Sequence, residues 1–302
     1  MPNAPLLDPK LDLVFKRLFT DLPDSLLDLI NAVRSDQPPV VDVQILNPQI
    51  LPEDLTGKFI VLDILARDVH GQLFNIEMQA RNHDGWPSRV VYYLARNLGR
   101  QLQAGDDYSQ LQPVIGIHLM DFELFDDERA CWQFELCDRR RPSVVFDRSL
   151  QLYLVELPKA DRLHSQAGGA LADWIAYLEH WQEESVMQEI ERPAIRKAHQ
   201  QLQALSGDEL VRHQALVRER ALYAERTVVA AAEARGKAEG KTEGLRSALY
   251  NLLQLKFGAL PMAIEQRLMT ACEDELTGWI GRVLSAETLE QVFEGGEVAP
   301  KR

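Results

Sequence analysis

The sequence predicts an α/β sandwich of roughly 160 residues followed by a mostly helical region. Three patterns carry this expectation. Two runs that read as strands, KFIVLDILARD and QLFNIEMQAR, stand on either side of a short loop within residues 58–81. Runs with helical apolar spacing lie before and after them. From Ala167 onward the alternation stops, and residues 192–233 are rich in Ala, Gln, Glu and Arg.

The elements follow in order. Leu11, Val14, Phe15, Leu18 and Phe19 recur at helical spacing after Asp8-Pro9, a start signal. A second short helix covers residues 24–33, after the break at Pro23, and Pro38-Pro39 ends the helical pattern. VVDVQIL alternates and reads as a strand. Next comes the hairpin, closed at Val69-His70-Gly71, where a three-residue loop wants Gly at its left-handed third position. That loop pairs Asp68 with Gln72. Counting back, Leu65 faces Asn75, Asp63 faces Glu77 and Val61 faces Gln79. Ile60, Leu62, Ile64, Ile76 and Met78 point to the other, apolar side. A helix begins at Pro87, which suits a first turn, and runs to about Gln103 with Val91, Leu94, Ala95, Leu98 and Leu102 as its buried stripe. Arg89, Tyr93, Arg96 and Arg100 fall on another face. LQPVIGIHLMDFELF, WQFELCD and SLQLYLVELPK read as further strands.

Composition narrows the class. The chain has 302 residues, 46% of them apolar and 26% charged, which fits a globular protein with one large or two ordinary domains. A net charge of -13 disfavours indiscriminate binding to nucleic acid or anionic membrane, yet leaves room for a local basic face. Cys131, Cys137 and Cys272 form no C-x-x-C pair, so neither a disulfide framework nor a zinc site is expected, and the cytoplasm is the natural compartment. The opening residues hold no continuous apolar run, so no secretory signal is expected, and no run reaches the ~18 residues that span a membrane. The expected division is an α/β domain at 1–165, a helical linker or oligomerisation region at 166–244, and a small helical domain at 245–302. Deleting residues from about Arg192 onward is expected to leave the first domain folded.

The chemistry centres on the hairpin. Asp63 and Glu77, opposed on one sheet face, would place two carboxylates with Cβ atoms about 4.5–5.5 Å apart, which repel. A divalent cation removes that conflict, and Mg²⁺ suits two hard oxygen donors. The plain alternative is a pair of solvated surface acids.

The segment LDILARDVHGQLFNIEMQARNHDGWPSRVVYYLARNL resembles the recombination-promoting nuclease and transposase family of the PD-(D/E)XK nuclease superfamily. KLDLVFKRLF before it, and YSQLQPVIGIHLMDFELF and LYLVELPK after it, match that family in the same order, over roughly residues 8–160. The final segment resembles a domain of unknown function that often follows this module. The resemblance implies a restriction-endonuclease-like sandwich. Asp63 and Glu77 would be metal ligands, the backbone carbonyl of Met78 a third, and Gln79 would stand in the slot that most often holds Lys. A neutral Gln cannot act as a base and could only hold the attacking water. Asp12 matches an acid that such nucleases place beside the metal, or else simply caps a helix start. Lys16 could supply positive charge, although a surface role is the plainer one. Arg89 and Tyr93 could contact a scissile phosphate or buttress the acids. The run Arg139-Arg140-Arg141 could touch a DNA backbone or form a solvated loop.

The function implied is a Mg²⁺-dependent DNA endonuclease, with Mn²⁺ as substitute, in recombination, mobile-element biology or phage defence. The alternatives are an inactive nuclease fold that binds DNA or protein, and a scaffold whose helical half does the work. Gly236, Gly240 and Gly244 stand four apart, fitting either close helix contact in a homo-oligomer or a flexible linker. The histidines, His118 among them, form no H-x-x-x-H or H-N-H pattern and read as structural or surface residues.

Overall fold

The computed structural model describes residues 5–47, 64–82, 85–159 and 169–294. Asp63, with Ile60, Val61 and Leu62, lies outside the described residues. Two helices open the chain, α1 (Asp12–Thr20) and α2 (Pro23–Val33). The strands are β1 (Val43–Ile45), β2 (Ile64–Asp68), β3 (Leu73–Gln79), β4 (Val114–Met120), β5 (Cys131–Cys137) and β6 (Val145–Glu156), with α3 (Trp86–Gly99) between β3 and β4. They form one mixed sheet in the order β1-β2-β3-β4-β6-β5.

The hairpin forms as its loop residues require. Gly71 takes a φ of +86°, a left-handed value that costs little without a Cβ. The Asp68 side chain accepts from the His70 and Gln72 amides at 2.9 and 2.8 Å, stapling the turn. The register is the expected one, with Leu65 opposite Asn75 and Ile64 opposite Ile76. The β3–β4 pair is parallel. A parallel pair needs a crossover of a dozen or more residues, and α3 provides it.

β3 lies at the centre of the fold, and Leu73 to Met78 are all buried. The period of two sends its side chains to two different cores. Phe74, Ile76 and Met78 join Phe15, Phe19 and Leu26 of the first two helices. Leu73 joins Trp86, Val90 and Leu94 of α3 on the opposite face. Here the structure corrects the α3 stripe: Val91 is 57% exposed. The indole of Trp86 sets the rotation instead, packing edge-on against His118 and Phe122 at 5.7 and 6.0 Å between ring centres. A residue that large fixes which side of the helix faces the sheet, since losing it would cost about 3–5 kcal/mol. The helix also stops at Gly99 rather than near Gln103.

Four more helices follow: α4 (Ala170–His180), α5 (Glu184–Glu189), α6 (Pro193–Gly207) and the long α7 (Glu209–Phe257). The chain divides into two compact units, and the first runs to Leu222, well past residue 165. The reason is burial. Trp174 and Tyr177 of α4, Ile195, Ala198 and Leu202 of α6, and Val211 and Ala215 of α7 all sit in the same core as Phe15 and Ile76. For a cut at Arg192 the structure sets a different expectation, because deleting residues from there onward would strip apolar cover from that core.

The second unit, from Tyr223, holds the remainder of α7 with α8 (Met262–Thr270), α9 (Glu273–Val283) and α10 (Leu289–Phe293). Gly258 ends α7 with a φ of +83°. Leu249, Leu253, Leu268, Leu276, Trp279 and Phe293 form its core. The Arg267 guanidinium lies 5.2 Å from both the Trp279 and Phe293 ring centres. Gly236, Gly240 and Gly244 are exposed on α7, which is helical throughout rather than a flexible linker there. No helix among the described residues is long and apolar enough to cross a membrane.

Candidate active site

Glu77 sits on β3, facing α3, with its side chain 11% exposed. Burying a lone carboxylate is costly, so it needs a cationic partner. Arg89, one turn into α3, supplies it: Nη2 donates to Glu77 Oε1 at 2.9 Å. Across the parallel β3–β4 pair, His118 stands opposite Glu77. Its Nδ1 lies 3.3 Å from Glu77 Oε2, close enough to attract but without the alignment of a hydrogen bond. Burial pushes the Glu77 carboxyl up, but His118 and Arg89 outweigh it and hold it below the usual glutamate range. The group is thus kept ionised at the middle of the sheet.

His118 is itself 1% exposed, and neither ring nitrogen has a hydrogen-bond partner among the described residues. Gly116, two residues earlier on the same face, leaves space beneath the ring: a Cβ there would lie 3.3 Å from His118 Nε2 and 3.0 Å from Leu94. Sequence reasoning set His118 aside as an ordinary residue. The usable signal was a single His in an otherwise apolar strand buried on both faces.

Gln79, two residues beyond Glu77, is half-buried. Its Nε2 donates to the Arg81 carbonyl at 2.7 Å. A carbonyl only accepts, so this bond fixes which end of the amide is nitrogen and turns Oε1 the other way. Arg81 in turn donates to the Leu222 carbonyl at 3.0 Å. The Met78 side chain enters the core, and its backbone sits in the β3–β4 ladder opposite Leu119.

The helix residues divide. Arg89 reaches Glu77, whereas the Tyr93 ring packs against Tyr92 at 5.5 Å between centres. Asp12 is held by Arg218 of α7, whose Nε and Nη2 donate to Oδ2 at 3.0 and 2.5 Å. Lys16 is 4% exposed, so its surface reading is corrected: it lies on the buried side of α1. The Arg139-Arg140-Arg141 run is exposed in the β5–β6 turn, where Asp138 accepts from the Arg140 and Arg141 amides at 2.9 and 2.7 Å.

Among the described residues, no three His, Cys, Asp or Glu side chains come together to hold a metal. Glu77 offers one hard, ionised carboxylate, which fits a divalent cation as far as it goes. The second expected carboxylate, on Asp63, lies outside the described residues.

The family model for PD-(D/E)XK nuclease family transposases matches residues 9–232. No curated protein and no solved structure matches the chain. The matched stretch covers the whole sheet, the helices on both of its faces, and the start of α7.

Proposed function

The chain belongs to the PD-(D/E)XK nuclease family transposases, and from that membership we propose that it is a metal-dependent DNA endonuclease hydrolysing phosphodiester bonds. One observation supports this most directly: a buried glutamate, Glu77, is held ionised beside an arginine two residues before Gln79. In this reading Asp63 and Glu77 are the carboxylate ligands of Mg²⁺, with Mn²⁺ as substitute and the Met78 carbonyl as a further donor. A bound metal would supply an activated water and neutralise charge developing on the phosphate.

The chain's own residues do the positioning. Glu77 Oε2, away from Arg89, remains directed toward His118 and holds that side of the site polar. Gln79 cannot take a proton, but its Oε1 points away from the Nε2–Arg81 bond and can accept a hydrogen bond. It orients a water by accepting one of its hydrogens. Arg89 is well suited to exchange Glu77 for a phosphate oxygen, since guanidinium pairs with both. Asp12 and Lys16 of α1 are assigned supporting roles in this reading, and Asp12 is held in place by Arg218. Recombination, mobile-element biology and phage defence are the proposed settings.

A plasmid-nicking assay tests this reading. Mg²⁺ or Mn²⁺ should support nicking and EDTA should stop it. Robust cleavage by the Asp63→Ala, Glu77→Ala double variant would overturn the site. A second reading, a nuclease fold that binds without cutting, draws on two features: Gln79 is neutral, and Arg89 already occupies Glu77. Metal-independent DNA binding with no nicking under any metal would favour it.

A further inference from the structure

We propose that the exposed face of α3 is the surface on which the backbone of duplex DNA docks, led along the helix toward Glu77. This inference rests on the nuclease reading and names where its substrate lies. Residues 85–105 contain three arginines and no acid, in a chain whose net charge is -13. The three are not scattered. At 3.6 residues per turn, Arg89, Arg96 and Arg100 fall within an arc of about 40°. Tyr92 and Tyr93 flank that arc, and the buried stripe of Trp86, Val90 and Leu94 lies to one side.

Arg96 and Arg100 are exposed and make no ion pair with any described residue. Tyr92 is 60% exposed. The arginine stripe therefore carries positive charge that the fold itself does not consume. One end is anchored: Arg89 pairs with Glu77. From residue 89 to 100 the stripe runs about 16 Å at 1.5 Å per residue. That length matches about five nucleotides of one strand at 3.4 Å each. Ser88, Ala95 and Gly99 occupy the neighbouring exposed arc, and their small size lets a sugar-phosphate backbone approach closely. A lipid surface fits less well. A membrane-lying helix offers its large apolar residues outward, whereas Trp86 and Leu94 are buried against the sheet. Guanidinium contacts to phosphate carry no base information, so docking here is independent of sequence.

The test is fluorescence anisotropy with a labelled DNA duplex in EDTA, comparing the full chain with an Arg96→Gln, Arg100→Gln variant at several salt concentrations. Each phosphate contact adds about 0.9 to the salt slope, so the variant's slope should be shallower by about 1.8. Between 50 and 200 mM salt, the unaltered protein should then lose about twelvefold more affinity than the variant. Equal slopes and affinities would overturn the docking face while leaving the nuclease reading to the nicking assay. Loss of binding in the variant, in a protein that cuts no plasmid, would keep the face and remove the nuclease reading. Failure of the unaltered protein to bind the duplex would overturn the face. Binding to phosphatidylserine vesicles that the variant loses, with DNA binding unchanged, would overturn it in favour of a lipid surface. A thermal melt of the variant matching the unaltered protein shows that the fold is intact.

Discussion

Arg218 grips the Asp12 carboxylate through both Nε and Nη2 across 206 residues of chain. The pair is largely buried, with side-chain exposures of 8% and 18%. It joins the first helix to the start of the long one. Arg218→Ala should cost about 2 kcal/mol in urea unfolding, the scale of a charged hydrogen bond removed from a covered site. A change below about 0.5 kcal/mol, ordinary for a surface substitution, would show that the pair adds nothing.

Truncation gives a sharper result. A chain ending at Leu222 retains Ile195, Leu202, Val211 and Ala215 in the main core, and Arg218 on Asp12. It should be soluble and melt cooperatively. A chain ending at residue 191 exposes that core and should aggregate. Circular dichroism melts of the two would decide, and a cooperative melt from the shorter chain would refute the division at Leu222.

Lys159 and Glu156 form a buried ion pair at 2.7 Å, both side chains 0% exposed. Every lone pair and proton there has a use. Lys159 also donates to the Phe125 and Arg129 carbonyls, and Glu156 accepts from the Leu124 and Phe125 amides and the Trp132 indole. Removing one partner of such a pair costs about 3–5 kcal/mol, and Lys159→Met should show that loss in chemical denaturation. Burial raises the Glu156 carboxyl, but Lys159 and the other donors more than offset it and hold the group below the usual range. A depressed carboxylate contributes stability that is present above its unfolded value, about 4.3, and is lost as pH falls through the folded one. Acid lability should therefore lie below that unfolded value and weaken in Glu156→Gln. A melting temperature equally acid-sensitive in both proteins would contradict this.

Metal binding makes a fourth prediction. Mg²⁺ at a hundredfold over its Kd should stabilise the native state by about 2.7 kcal/mol, and Glu77→Ala should abolish the gain. Arg89 competes for the same carboxylate, so Arg89→Ala should tighten Mg²⁺ binding in calorimetry. Weaker binding in Arg89→Ala would mean that the arginine organises the metal site rather than competing with the ion.

The cysteines differ in reactivity. Burial pushes the Cys131 thiol up to about 12, so its nucleophilic thiolate is absent at neutral pH. Cys137 and Cys272 are exposed. Brief treatment with iodoacetamide should modify those two and spare Cys131, as read by peptide mass spectrometry. Early modification of Cys131 would refute the assignment.

The parts of this fold that were legible from sequence are the local ones. Gly71 three residues after Asp68 dictates the loop, and the loop dictates the register that sets Leu65 opposite Asn75. The period of two then put Glu77 and Met78 on opposite faces of β3. Tertiary placement escaped the same reasoning. Apolar spacing allows more than one rotation of α3, including one that buries Val91, and only the fit of Trp86 against His118 and Phe122 selects the true one.

By itself, then, the sequence determined which segments are helix and strand, the closure of the hairpin, and the family to which the residues of β3 and its neighbours point. Those features depend on dihedral preferences and on periodicities that repeat within a few residues. What lies beside Glu77 was decided only in three dimensions. His118 reaches it through a parallel pairing that requires a helix in between, and parallel pairing leaves no mark of register in the intervening chain. The extent of the first unit was decided in the same way. Helical periodicity shows that residues near Leu202 and Val211 have an apolar side, but not that the apolar surface waiting for them is the sheet-covering core built by Phe15 and Phe19, nearly two hundred residues earlier.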